Sequence, residues 1–197
     1  MGNLAEFDFK FKGSRDYVHG TDIYKAFSGY YQDNADHSPK SVQLSFHGIS
    51  RKNLELVSEC DDELIKVLIS VTNQDGGKQK YYLREIEAAP SSRYPYDEDA
   101  VVDGWEIRDN GLAAVLNSPK SEFTVIESLV ALNKAFLTKL HNPNGKWLFA
   151  RLKVRGLLPS ECSSMRLSTT SSSNLRLVRS KIEIDGEPFG EIYFSLT

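Results

Sequence analysis

The sequence predicts an α+β protein made of two tandem units, each combining one buried helix with antiparallel strands joined by hairpins. Three observations carry this. One long segment is apolar on nearly every helical face, short alternating runs are separated by turn residues, and the two halves echo one another in order.

The helix is clearest in Phe123 to Leu140. Ile126, Leu129, Val130, Phe136 and Leu140 recur at three- and four-residue spacings, and Val125, Leu132 and Leu137 widen the stripe almost all the way round. A helix of this kind is built to be buried. Burying six large apolar side chains contributes about 10–18 kcal/mol before chain entropy is subtracted. Thr124 followed by Glu127 marks the start as a capping box, and Asn142-Pro143-Asn144-Gly145 marks the stop.

From the N-terminus, Phe7 to Lys12 alternates strictly and predicts a half-buried strand. Thr21 caps a helix that carries Ile23, Ala26, Phe27, Tyr30 and Tyr31 on one face. Strands follow at Val42–Ile49, Leu54–Ser58 and Leu64–Val71, then a hairpin at Asp75-Gly76-Gly77 leads into Lys80–Ile86. Residues 88–104, with two prolines and an acidic cluster, read as a linker. Beyond it, Asp109-Asn110-Gly111 turns between Trp105–Ile107 and Leu112–Leu116. After the long helix come strands at Trp147–Leu157, Met165–Thr170, Leu175–Ile184 and Gly190–Leu196. The serine-rich run Ser168–Ser173 reads as a turn between two of these strands, and Asp185-Gly186 as another turn.

Lys25-Ala26-Phe27 recurs as Lys134-Ala135-Phe136 at a shift of 109, His47-Gly48-Ile49 as Arg155-Gly156-Leu157 at 108, and Asp75-Gly76 as Asp185-Gly186 at 110. Asn3-Leu4-Ala5 echoes Gly111-Leu112-Ala113 at 108. Four matches in one order at nearly one shift indicate a tandem duplication. The expected organisation is a first unit at 1–87, a linker at 88–104 and a second unit at 105–197.

Composition narrows the function. A formal charge of −3 without a basic run gives no electrostatic reason to expect nucleic acid. The apolar runs are far shorter than the ~20 residues of a membrane span. The N-terminus lacks the pattern of a secretory signal, and Glu6 breaks the myristoylation motif begun by Met1-Gly2. Two distant cysteines, Cys60 and Cys162, read as free thiols of a cytoplasmic protein. His37 and His47 have no carboxylate at ligand spacing, so no metal site and no cofactor are expected.

The order of strand, buried helix and three or four antiparallel strands resembles the hotdog fold, and two copies resemble the double hotdog. The resemblance covers nearly the whole chain as a pattern. It implies action on acyl thioesters of acyl carrier protein or coenzyme A, in fatty acid or polyketide metabolism, and it allows double-hotdog chains to associate as homo-oligomers. In the 3-hydroxyacyl-carrier-protein dehydratases a histidine removes the α proton, and a carboxylic acid on a partner helix protonates the leaving hydroxyl.

Here His19 precedes the first helix, and Glu127 lies in the first turn of the second. The resemblance therefore implies His19 as base and Glu127 as acid. Asp22 is the carboxylate of a thioesterase-type alternative, and Tyr17 and Arg15 are candidates to line the substrate entrance. A non-catalytic lipid- or partner-binding double hotdog is the third reading. Each residue also has a plainer role: Glu127 as half of the capping box, His19 as a loop residue on a backbone carbonyl, and Asp22 as a first-turn acid favoured by the helix dipole. The His-Pro-Gly approach of the dehydratases is absent, since Gly20-Thr21-Asp22 follows His19.

Overall fold

Turn chemistry and alternation set the strands, and two buried helices complete the units. A computed structural model describes residues 2–169 and 175–197. The chain divides into two compact units, Met1–Tyr96 and Asp97–Thr197.

The first unit contains β1 (Asn3–Phe7), β2 (Phe11–Lys12), α1 (Gly20–Asn34), β3 (Ser41–Phe46), β4 (Leu54–Val57), β5 (Val67–Thr72), β6 (Lys78–Glu85) and β7 (Arg93–Tyr94). Five strands form an antiparallel array in the order β1-β4-β6-β5-β3. In β5 the alternate residues Val67, Ile69 and Val71 are fully buried, as the period of two requires. Helix α1 buries Ile23, Phe27 and Tyr31 at four-residue steps. The Phe27 ring meets Tyr81 of β6 edge-on at 5.5 Å between centroids, and the Tyr31 hydroxyl donates to Asn73 Oδ1 at 3.2 Å. The β5–β6 hairpin turns at Asp75-Gly76, where Gly76 has φ +89° and Asp75 Oδ1 accepts from the Gly77 N–H at 2.8 Å.

The run Phe7–Lys12 is not one strand. β1 ends at Phe7, and β2 pairs in parallel with β7 in a separate two-stranded sheet. The cause is Asn53, whose Oδ1 accepts from the Phe9 N–H at 2.9 Å and whose amide donates to Asp8, drawing 8–9 off the ladder. The strand expected from Leu64 begins only at Val67, because Asp62–Leu64 forms a tight 3-10 turn.

The second unit contains α2 (Glu98–Val101), β8 (Glu106–Arg108), β9 (Ala113–Asn117), α3 (Val125–His141), β10 (Trp147–Arg155), β11 (Ser164–Thr169), β12 (Val178–Ile184) and β13 (Glu187–Leu196). Its antiparallel order is β10-β13-β12-β11-β9-β8. Helix α3 is buried on most sides, with Leu129, Leu132, Phe136 and Leu137 fully enclosed, and it packs on α2, β9, β10 and β11. Its end is set by Asn142 in the left-handed region, with φ +40° and its N–H on Thr138 O. The β8–β9 and β12–β13 turns use positive φ at Asp109-Asn110 and at Asp185-Gly186.

The stretch 88–104, expected as a linker, carries β7 and α2. The division between the units falls within it, after Tyr96. Asp97 caps α2 by accepting from the Asp99 and Ala100 N–H groups, and Val101 and Val102 are buried. The repeated Phe27 and Phe136 are both fully buried, one on each long helix. The turn expected within Ser168–Ser173 falls on 170–174, outside the described residues. Among the described residues no helix is long and apolar enough to cross a membrane.

Gly190 shows the tightest backbone approach in the second unit. A Cβ there would lie 2.9 Å from Val154 Cα and still closer to Lys153 O. Gly190→Ala must push β13 off β10, so the expected loss is about 1–3 kcal/mol, read as an earlier urea midpoint with an unchanged slope.

Candidate active site

The first turn of α1 begins at His19, whose backbone carbonyl accepts from the Asp22 and Ile23 N–H groups at 3.0 and 3.2 Å. His19 itself stays extended, at φ −75° and ψ 139°, and its side chain does not cap the helix. The preceding loop is pinned twice. Val18 N–H donates to Ser50 O at 2.8 Å, and the Arg93 guanidinium donates to the carbonyls of Gly13 and Arg15. Gly13, at φ +60°, turns the chain out of β2 where a Cβ would sit 3.3 Å from Tyr96 O.

A buried polar network surrounds this turn. Lys12, at the end of β2, is 0% exposed, and its Nζ donates to Thr21 Oγ1 at 2.9 Å. The same ammonium lies 3.5 Å from Asp22 Oδ1 and 4.1 Å from the Tyr96 ring centroid, a cation–π distance. The Tyr94 hydroxyl reaches both Asp22 carboxylate oxygens at 2.9 Å. His19 is 6% exposed, and its Nδ1 is 2.7 Å from Thr21 Oγ1. Its ring lies 6.5 Å from that of Tyr17 and 6.4 Å from that of Tyr96. An ion buried this deeply costs several kcal/mol unless its partners are well placed. Here a hydroxyl, a carboxylate and an aromatic face are provided together.

Of the expected residues, His19, Asp22, Tyr17 and Arg15 gather in this part of the first unit. Arg15 is half-buried, with its guanidinium 5.6 Å from the Tyr96 centroid. Asp22 serves the network through Tyr94 and Lys12. Glu127 lies in the second unit, where its Oε2 accepts from the Thr124 N–H at 2.9 Å and the Thr124 hydroxyl at 2.7 Å. That is the capping box read from the sequence.

Sequence reasoning missed Lys12, Tyr94 and Tyr96, and it gave Thr21 only a capping role. Lys12 looked like the solvent-facing end of an alternating strand. The one available signal for the tyrosines was their own alternation in Arg93-Tyr94-Pro95-Tyr96, inside a stretch that otherwise reads as a linker.

No family model matches the chain, and no curated protein matches it. Solved structures do. The dehydratase domain of PpsC from Mycobacterium tuberculosis, in complex with C12:1-CoA, is similar at a TM-score of 0.53 and 12% identity, over 98% of this chain and 92% of that one. The pyran synthase domain from module nine of the sorangicin pathway is similar at 0.53 and 11%, over 98% and 92%. A conserved protein of unknown function with a hot dog fold, from Alicyclobacillus acidocaldarius, aligns at 0.46 and 11%, over 92% and 88%.

The chain has the hotdog fold. At these identities the likeness is one of fold alone, and the chemistry of this chain has to be argued from its own residues.

Both cysteines are free thiols. Burial pushes the Cys162 thiol up to about 11, with the Asp185 charge adding to the effect. Because the thiolate is the reactive form, Cys162 stays almost unalkylated by iodoacetamide at pH 8. Mass-spectrometric mapping of labelled peptides across pH 8–11 checks this, with modification of Cys162 rising toward the upper end.

Tyr94→Phe removes a hydroxyl bound to a partly exposed carboxylate. The expected loss is about 1–2 kcal/mol in urea unfolding, with the fold retained by circular dichroism.

Proposed function

We propose that this chain is a tandem pair of hotdog units that processes acyl thioesters, most concretely by dehydrating 3-hydroxyacyl thioesters of acyl carrier protein or coenzyme A. The observation that carries this reading is His19. It is a nearly buried imidazole at the start of the first hotdog helix, held by Thr21 and flanked by two tyrosine rings. A ring fixed in this way is pre-organised for a reaction that moves charge onto a substrate oxygen. Similarity of fold to a dehydratase domain in complex with C12:1-CoA supports the substrate class.

Dehydration breaks the Cα–H and Cβ–O bonds, so it needs a carboxylate or imidazole for proton transfer as well as a donor to the thioester carbonyl. His19 and Glu127 are the two groups we assign to this chemistry, with Tyr17 and Arg15 as substrate contacts. Thioester hydrolysis is the second reading, because it needs only a carboxylate to activate water. Asp22 suits that task less well, since the Tyr94 hydroxyl takes up both of its oxygens and Lys12 is 3.5 Å from one of them.

The test follows enoyl absorbance and thiol release in parallel, with enoyl- and 3-hydroxyacyl-thioesters of several chain lengths. The expected result is enoyl change without thiol release, reduced at least about 100-fold by His19→Ala and by Glu127→Gln. Thiol release that survives His19→Ala but not Asp22→Asn favours hydrolysis. No turnover in either channel, with thioesters still bound, favours a non-catalytic binder.

A further inference from the structure

We propose that a groove along one face of α3 holds the phosphopantetheine arm that coenzyme A and acyl carrier protein share, with its sulfur toward Glu127 and its phosphate toward Lys139. This rests on the acyl-thioester reading above and places the carrier end of the substrate.

The groove lies wholly within the second unit and encloses about 560 Å³, a volume usual for a small-molecule site. Ala131, Lys134, Ala135, Thr138, Lys139 and Asn142 line it from α3, at the spacings of one helical face. Opposite them stand Val102 and Trp105, and Glu98 of α2 is tied across to Lys134 by an ion pair. Alanine at 131 and 135 keeps the hollow open, since a larger side chain at either position would project into it.

Length, lining and direction each fit the arm. From Ala131 to Asn142 the helix rises roughly 16 Å. The arm, from sulfur to phosphorus, is about as long as four to five extended residues, or roughly 15 Å. Its paired methyl groups find apolar surface at Val102 and Trp105, and its two amides find the Thr138 hydroxyl and the Asn142 carboxamide. Asp99 also lines the α2 wall and turns the phosphate away from it. Glu98 occupies Lys134, so the charge for the phosphate comes from Lys139, which is exposed about 7.5 Å further along the helix. The last turn of α3 carries a partial negative charge of its own, so an anion at this end depends on that lysine. At the other end, Glu127 stands one turn before Ala131 on the same face. An arm lying sulfur-first along the groove therefore carries its thioester to the carboxylate assigned above as the acid.

The test reads binding apart from turnover. The chain has two tryptophans, and Trp147→Phe leaves Trp105 as the fluorescent reporter. In the full Trp147→Phe chain, phosphopantetheine should shift Trp105 emission saturably, and pantetheine, which lacks the phosphate, should bind about 10-fold more weakly. Lys139→Glu should erase that difference, and Ala135→Phe, shown folded by circular dichroism, should abolish the shift. Coenzyme A and holo acyl carrier protein are titrated in the same way, and the one that binds more tightly than the free arm is the source of the arm. Unaltered emission at millimolar phosphopantetheine, or a shift unchanged by Ala135→Phe, overturns the proposal. If enoyl turnover persists in that case, the dehydration reading stands without the groove. Emission that shifts as expected, with no turnover of any thioester, leaves the groove assigned and overturns the dehydration reading.

Discussion

The first unit depends on the burial of the Lys12 ammonium. A charge with no exposed surface persists only where its partners outweigh the lost hydration. Those partners come from two separate pieces of chain. Thr21 and Asp22 belong to the first turn of α1, and Tyr96 follows directly on β7 and Pro95. Satisfying Lys12 therefore fixes where α1 begins relative to β2, and holds 93–96 against both. Replacing Lys12 with an aliphatic residue of similar length would remove the charge. It would take the ammonium away from Asp22 and the Nζ donor away from the Thr21 oxygen.

The two long helices begin in opposite ways. Helix α3 is capped within four residues, with Glu127 folding back onto Thr124. Helix α1 has no side-chain cap from His19, and its first turn is supported by contacts 9 to 72 residues away, to Lys12 and Tyr94. A local cap is cheap in chain entropy and can be supplied by two residues. A long-range cluster orders more of the chain, so it suits a place where side-chain geometry has to be held closely. The polar investment of this chain is concentrated at the start of α1.

The same contrast explains what was legible in the sequence. Helix α3, its capping box and the turns at Asp75-Gly76, Asp109-Asn110-Gly111 and Asp185-Gly186 rest on local spacing and left-handed backbone preference, and they occur where the residues indicate. The break in Phe7–Lys12 was hidden because Asn53, which causes it, lies more than forty residues away. Lys12 could not be recognised as buried from a run that alternates as an exposed strand does. Tyr94 and Tyr96 were hidden by their surroundings, since proline and acidic residues on either side signal a connection whether or not its aromatic side chains turn inward. His19 and Asp22 were legible as residues of interest, but their partners were not.

The partners decide what His19 can do. An imidazole before a helix is consistent with a base, an electrophile or a structural contact, and nothing in residues 16–22 alone separates these. What bears on it is how the ring is held. Nδ1 lies 2.7 Å from the Thr21 hydroxyl, which also holds Lys12 Nζ at 2.9 Å, so the ring's place is tied to the buried charge at the end of β2. A buried lysine thus helps to hold the histidine in place, acting through one hydroxyl. Exchanging Lys12 for an aliphatic residue would remove the group that anchors the Thr21 oxygen, and with it one restraint on the ring.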